Sequence, residues 1–96
     1  MKSLAVIVSG GSTNALIQAL TLVMAAVHED IKTRVLFRDE SVFRLTPEAI
    51  NRLELSEPYR RDSQGLQQRL AKLDLTDLHK LCRDLKASGD VKYYVC

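Results

Sequence analysis

Three short runs of strand-forming residues, separated by segments with helical periodicity, constrain the fold of this chain more than any other feature. The first run, Leu4 to Val8, is unbroken and apolar, as is typical of a strand covered on both faces. The second extends from Thr33 to Phe37 and the third from Val91 to Val95. Strands and helices that alternate at this spacing form βαβ units. The order therefore predicts an α/β fold: a small parallel β-sheet covered by helices in flavodoxin-like layers.

The segments between these strands carry start and stop signals for helices. Residues 15–30 place apolar side chains at helical spacing, with Ser12 or Thr13 as the expected cap. Thr46 followed by Pro47 predicts another helix start, whereas residues 51–65 have little periodicity and indicate an irregular connection. Two later helices are predicted, over residues 66–73 and over residues 78–85, the second with Thr76 as its cap and Gly89 as its stop.

Composition limits the class of protein. The 96 residues are 46% hydrophobic and carry a net charge of +2, which fits a single domain over residues 1–96 and is too small a charge to indicate a nucleic-acid partner. No apolar run is long enough to span a bilayer, and no signal-peptide cleavage site follows the first strand, so we expect a cytoplasmic protein without a membrane partner. The two cysteines lack zinc-site spacing, and we expect neither a metal nor a cofactor.

The expected topology points to one edge of the sheet as the functional site. The simplest arrangement places the first strand in the middle, with the second and third strands on either side of it. Ligands of open α/β sheets bind beyond the carboxyl ends of the strands, where the strand order reverses. The turn after the first strand and the residue after the third strand, Cys96, would then face each other.

The turn after the first strand reads "SGGSTN" and is the candidate binding pocket, formed by Ser9, Gly10, Gly11, Ser12, Thr13 and Asn14. Its glycines permit a tight turn and a close approach to a ligand, and the following helix offers N–H groups to an anion. It is neither a Walker loop nor a GxGxxG fingerprint. A plain strand-to-helix turn and an anion-binding or cofactor-binding turn both remain open on these residues.

Cys96 is the candidate reactive residue. The thiolate is the nucleophilic form of cysteine, and a nearby helix N-terminus lowers the pKa of a thiol. A structural or incidental cysteine is the alternative. Cys82 shares an apolar helix face with leucines, which favours core packing. For the remaining titratable residues we expect solvated, capping or helix-start roles; they are His28, His79, Asp39 and Glu40.

Three stretches together resemble the DsrE/DsrF-like family of small sulfur-relay proteins. "LAVIVSGGSTNALIQALTLVMAAV" resembles the opening strand, Ser/Gly turn and alanine-rich helix of that family. "TRVLFRDESVFRLT" is similar to its second strand and short helix, and "LHKLCRDLKASGDVKYYVC" to its later helix, glycine stop and strand ending in cysteine. The order of these elements agrees over nearly the whole chain.

The resemblance implies a function for Cys96. Members with the motif cysteine accept sulfur there as a persulfide and pass it to a sulfur-carrier protein partner, so the chain would be a sulfurtransferase-like persulfide carrier that assembles into homo-trimers or homo-hexamers. The family continues past the cysteine into another helix and strand, which this sequence does not contain. The alternatives are a non-catalytic oligomeric or small-ligand-binding module of the same fold, and an anion or nucleotide binder that uses "SGGSTN".

Overall fold

The computed structural model, which describes residues 2–73 and 76–96, contains a three-stranded parallel sheet with helices packed on it. The strands are β1 (Ser3–Val8), β2 (Lys32–Phe37) and β3 (Val91–Val95). The helices are α1 (Thr13–His28), a 3₁₀ helix (Asp39–Arg44), α2 (Pro47–Ile50), α3 (Glu57–Arg60), α4 (Ser63–Lys72) and α5 (Leu78–Ser88). The predicted α/β class with a small parallel sheet is confirmed.

The strand order is β1-β2-β3, so the prediction that the first strand lies in the middle is wrong. β2 pairs with both neighbours, and Val6, Val35 and Tyr93 lie in one row of the register. The connection from β2 to β3 is long enough to deliver β3 to either edge of the β1–β2 pair. It delivers β3 to the free edge of β2, where α5 packs against both β3 and α1. No reversal of strand order occurs within these three strands.

The two helices that pack on this sheet, α1 and α5, lie on one face of it. Parallel crossovers are right-handed, and two of them that advance in the same direction leave their helices on the same side. Accordingly, α1 packs on β1 and β2, and α5 packs on β3 and α1. Val6 and Val35 are buried beneath them, whereas Ile7 on the opposite face is 62% exposed. Within the described residues, the expectation that the first strand is covered on both faces is therefore wrong.

Local signals set most helix ends as expected. The Ala15 N–H donates to Ser12 Oγ at 3.2 Å and the Ala49 N–H donates to Thr46 Oγ1 at 3.1 Å, so both predicted caps are confirmed. Gly89 ends α5 as predicted. The cap of α5 is Asp77, one residue after the predicted Thr76, because a carboxylate oxygen of Asp77 accepts the Lys80 N–H at 3.0 Å.

Residues 51–65 are less irregular than predicted. They contain the single turn of α3 and the first residues of α4. Pro58 lies in the first turn of α3, where a missing N–H costs nothing.

The core lies between the covered sheet face and the helices. Its buried members come from all three strands and from α1, α2 and α5: Val6, Val8, Leu16, Leu20, Val23, Val35, Phe37, Ile50, Leu78, Leu85 and Val91. No helix among the described residues has the length and apolar character needed to cross a membrane.

Candidate functional site

The glycine turn between β1 and α1 is shaped by close packing, and neither of its glycines has a positive φ. A Cβ atom at Gly11 would lie 3.1 Å from the carbonyl oxygen of Glu40, and one at Gly10 would lie 3.2 Å from the Cβ of Ala15. The turn therefore needs glycine at position 11 chiefly because the backbone of the 3₁₀ helix passes directly beside it. The Ser41 N–H, which donates to the Ser9 carbonyl at 3.3 Å, joins the same two segments.

The next two residues of the predicted pocket hold a loop in place. Thr13 Oγ1 donates to the Arg52 carbonyl at 3.0 Å and accepts the Glu54 N–H at 2.8 Å. Asn14 makes a reciprocal pair with Ser56: its Nδ2 donates to Ser56 Oγ at 3.1 Å, and its Oδ1 accepts the Ser56 N–H at 3.0 Å. These contacts fix residues 52–56 across the start of α1.

Two of the backbone N–H groups at the start of α1 also have protein partners. The Thr13 N–H donates to the Glu54 carbonyl, and the Ala15 N–H donates to its own cap at Ser12. A helix N-terminus attracts anions through unsatisfied N–H groups. Since these two donors already have protein partners, the helix end by itself offers an anion little, and an anion here would depend on the surrounding side chains.

Arg44 joins the turn to the loop, although nothing in the sequence alone indicates this role. Its buried guanidinium donates to the carbonyl oxygens of Gly11 and Arg52. Its Nε donates to the carbonyl oxygen of Ala49 at 2.8 Å. Burial lowers the pKa of Arg44 from its ordinary value, and the carboxylate of Glu54, 3.9 Å away, opposes that shift. A guanidinium, with five donors in a fixed fork, suits this set of carbonyl acceptors. An arginine at the end of a helix does not by itself predict burial.

A cavity of about 490 Å³ opens beside the turn. Gly10, Gly11 and Ser12 form part of its wall, so three of the six predicted pocket residues line this cavity. The rest of the lining contains Arg44, two further arginines, two carboxylates, a serine and apolar side chains: Glu40, Phe43, Arg52, Glu54, Leu55, Ser56 and Arg60. The cavity thus combines cationic groups with hydrogen-bonding groups of a Ser/Gly turn.

Cys96 does not face the glycine turn, which corrects the prediction. Its N–H donates to the Phe37 carbonyl at 3.0 Å, so the residue continues the pairing of β3 with β2. The whole width of β2 lies between Cys96 and the end of β1, a separation of about 10 Å at the usual strand spacing. The prediction failed because β3 pairs with β2 and not with β1. The position next to Cys96 in the register is Arg38, since Phe37 pairs with Val95.

The two cysteines differ in their surroundings. Cys96 is exposed at the carboxyl edge of the sheet. Cys82 is partly buried against the core, as predicted, and burial raises the pKa of its thiol to about 11. The Tyr93 hydroxyl donates to the Cys82 carbonyl at 2.9 Å, and burial raises the pKa of that hydroxyl as well. At neutral pH the Cys82 thiol is therefore protonated and a poor nucleophile.

The remaining candidates have modest roles. Asp39 and Glu40 lie in the first turn of the 3₁₀ helix, as expected of an acidic pair at a helix start. His28 ends α1 and is exposed, and His79 lies in the first turn of α5. Among the residues that the structure describes, no three His, Cys, Asp or Glu side chains converge as a metal site would require.

Comparison with known proteins adds no relative. No protein-family model matches the chain, and no curated protein matches it at a significant level. The functional argument therefore rests on the chain's own residues, their geometry and the sequence resemblance described above.

Proposed function

We propose that this protein is a persulfide carrier of the sulfur-relay type, with Cys96 as the residue that holds the sulfur. The observation that carries the proposal is the contrast between its two thiols: Cys96 is exposed at the carboxyl edge of the parallel sheet, whereas Cys82 is shielded and protonated. The proposal includes a DsrE-like fold, a cytoplasmic location, a homo-trimer or homo-hexamer, and a sulfur-carrier protein as the partner. These follow from the resemblance of the sequence to that family.

The chemistry requires no cofactor. The Cys96 thiolate attacks the outer sulfur of a donor persulfide, a new S–S bond forms at Cys96, and the donor's S–S bond breaks so that the donor leaves as a thiolate. In the second step, the thiolate of the acceptor attacks the outer sulfur on Cys96. Cys96 then leaves as a thiolate and is regenerated. Each step exchanges one S–S bond for another, so no outside oxidant or reductant is consumed.

Mass spectrometry of the intact folded protein tests this assignment. After incubation with a low-molecular-weight persulfide, the wild-type protein should gain the mass of one sulfur atom and lose it to an added acceptor thiol. Cys96→Ser should abolish the gain, and the matched control Cys82→Ser should keep it. Equal gains in the two variants would overturn the assignment of Cys96.

A second candidate function is a small-ligand-binding module of the same α/β architecture. The cavity of about 490 Å³ beside Gly10–Ser12 favours it, because its lining carries three arginines against two carboxylates: Arg44, Arg52 and Arg60 against Glu40 and Glu54. Arginine guanidinium groups bind carboxylate and phosphate through paired hydrogen bonds. An anionic small molecule is therefore the ligand class that this cavity would take.

Thermal unfolding with inorganic phosphate or a nucleotide as the probe distinguishes the second candidate. Binding should raise the Tm, and Arg52→Gln should remove the increase, since that side chain is 63% exposed and lines the cavity. Arg69→Gln, on α4 and similarly exposed, is the matched control and should leave the increase intact. A Tm that neither probe changes would contradict ligand binding at this cavity. So would an increase in Tm that persists in Arg52→Gln.

A further inference from the structure

The face of the sheet opposite α1 and α5, here called the open face, carries a row of three apolar side chains. Ile7, Leu36 and Tyr94 are register partners on β1, β2 and β3 and point away from the helices. Ile7 is 62% and Tyr94 49% exposed, and Leu36 is half-buried between them. Parallel sheets normally have both faces covered. Within the described part of the chain, both helices that pack on the sheet lie on its other face.

Cationic residues flank this apolar row on both sides. The next row toward the amino ends of the strands contains Arg34 and Lys92, with Lys32 beyond it on β2. On the other side, Arg38 takes the position that follows Phe37 on β2. Two carboxylates partly offset these charges: Asp90 pairs with Arg34 at 3.0 Å and Asp39 with Arg38 at 3.1 Å. Four cations against two carboxylates leave the open face with an excess of positive charge.

This charge pattern argues against a second copy as the occupant. Two open faces packed against each other would place cationic rows near cationic rows, and like charges across an interface are unfavourable. A partner with an apolar stripe flanked by carboxylates would instead match both the apolar row and its cationic borders. Three strands span about 14 Å at the usual spacing, which one helix of about 10–12 Å diameter covers.

We propose that the open face is a docking site for an amphipathic helix of a separate protein, one whose apolar stripe is flanked by glutamate or aspartate. The helix packs its apolar side chains on Ile7, Leu36 and Tyr94, while its carboxylates lie beside Lys92 and Arg38. Docking gives the sheet its second helical layer, which is the ordinary state of a parallel sheet. This surface adjoins Cys96, because Arg38 borders the apolar row and is the register neighbour of Cys96. It shares no residue with the lining of the cavity at the glycine turn.

A pair of designed peptides tests the proposal on the full chain. Both are amphipathic helices with the same leucine stripe; one is flanked by glutamates and the other by lysines. The glutamate peptide should bind, with backbone amide NMR shifts concentrated on β1, β2 and β3, and should bind more weakly as salt is added. The lysine peptide should bind at least about tenfold more weakly, because its flanks meet the cationic rows.

Substitutions on the open face complete the test. Tyr94→Glu and Ile7→Glu should each weaken binding of the glutamate peptide about tenfold or more, since they place a carboxylate in the apolar row. Lys92→Glu should reduce or reverse the difference in affinity between the glutamate peptide and the lysine peptide. Leu73→Glu, at an exposed apolar position at the end of α4, is the control and should leave binding unchanged.

Four outcomes of the peptide experiments would overturn the proposal. They are equal binding of the two peptides, no binding of the glutamate peptide, amide shifts that map away from the three strands, and binding that survives Tyr94→Glu and Ile7→Glu. Self-association of the protein that Tyr94→Glu abolishes would also overturn it, because the occupant would then be a second copy.

Discussion

At the scale of single residues, the surroundings of a thiol decide whether it can do chemistry. Cys82 packs against the core and stays protonated near neutral pH, since a buried environment disfavours the charged form. Cys96 lies on the surface, where a donor and an acceptor can both reach it. The difference gives the protein one accessible nucleophile, and it makes the two cysteines natural controls for each other.

The first prediction concerns thiol reactivity in the folded protein. At neutral pH a maleimide or disulfide reagent should label Cys96 rapidly and Cys82 very slowly, because Cys82 is shielded and the pKa of its thiol is raised to about 11. Denaturant should equalise the two rates. Peptide mapping of the labelled protein measures the ratio, and comparable labelling of both cysteines without denaturant would contradict the prediction.

A second prediction follows from the pH dependence of stability. The thiol of Cys82 has a pKa of about 11 in the folded protein and near 9 when exposed, so its contribution to stability is complete below about pH 9. That contribution declines as the pH rises and is lost as the pH passes 11. Urea unfolding should therefore show stability falling between pH 9 and 11, and Cys82→Ala should make the fall smaller. An identical fall in the variant would show that Cys82 does not contribute.

Arg44 leads to a third prediction at the same scale. Arg44→Met keeps much of the side-chain volume but removes the donors to the carbonyls of Gly11, Ala49 and Arg52, which leaves buried acceptors unsatisfied. We expect a loss of about 3 kcal/mol in the free energy of unfolding, as for a broken buried polar network. Arg52→Met, at an exposed arginine, should cost less than about 1 kcal/mol. Similar losses in the two variants by urea unfolding would contradict the role of Arg44.

At the scale of elements, α5 ends against α1 at a point that only glycine fits. Gly89 has an extended backbone, and a Cβ atom there would lie 2.9 Å from both methyl groups of Val27. The fourth prediction is that Gly89→Ala destabilises the protein by about 1–3 kcal/mol through overpacking. Val27→Ala in the same chain should recover part of that loss, which a double-mutant cycle by urea unfolding would measure.

Gly65 provides the matched comparison for Gly89. A Cβ atom there would meet only the exposed carboxylate of Asp62, which can move away, and Gly65 lies inside α4. Gly65→Ala should therefore be neutral or stabilising by up to about 1 kcal/mol, since alanine favours helix more than glycine does. If Gly89→Ala were equally well tolerated, the close packing of α5 on α1 would not limit that position.

How much the sequence predicted depends on the range of the interaction. The caps at Ser12 and Thr46 and the stop at Gly89 could be predicted, because each signal acts within a few residues. The edge at which β3 joins the sheet could not, because both positions satisfy the same local pattern and only the packing of α5 against α1 separates them. The burial of Arg44 was missed for a similar reason: its acceptors come from segments far apart in the chain.

At the scale of the whole molecule, the strand order determines which face of the sheet the helices cover. Crossovers of the same hand that advance in one direction put α1 and α5 on one face, so the order β1-β2-β3 leaves the other face open. The same order moves Cys96 away from the glycine turn and places it beside the end of β2. The edge with Cys96 therefore adjoins the open face, whereas the cavity at the turn shares no residue with either.

The last prediction concerns how copies of the chain assemble, if the proposed homo-oligomer forms. The open face is unsuited to self-pairing because of its positive charge, whereas the outer side of α1 is suited to it. No charged residue occurs between Thr13 and Val27, and Leu22 is 50% exposed on that side. Exposed apolar surface without charge is typical of an interface between subunits. We therefore expect the oligomer to assemble through α1.

In sedimentation experiments, Leu22→Glu should shift the protein toward monomer, because it places a charge in the contact between subunits. Tyr94→Glu on the open face should leave the oligomer unchanged. Dissociation by Tyr94→Glu alone would instead place the subunit contact on the sheet and contradict both this assembly and the docking site proposed for that face.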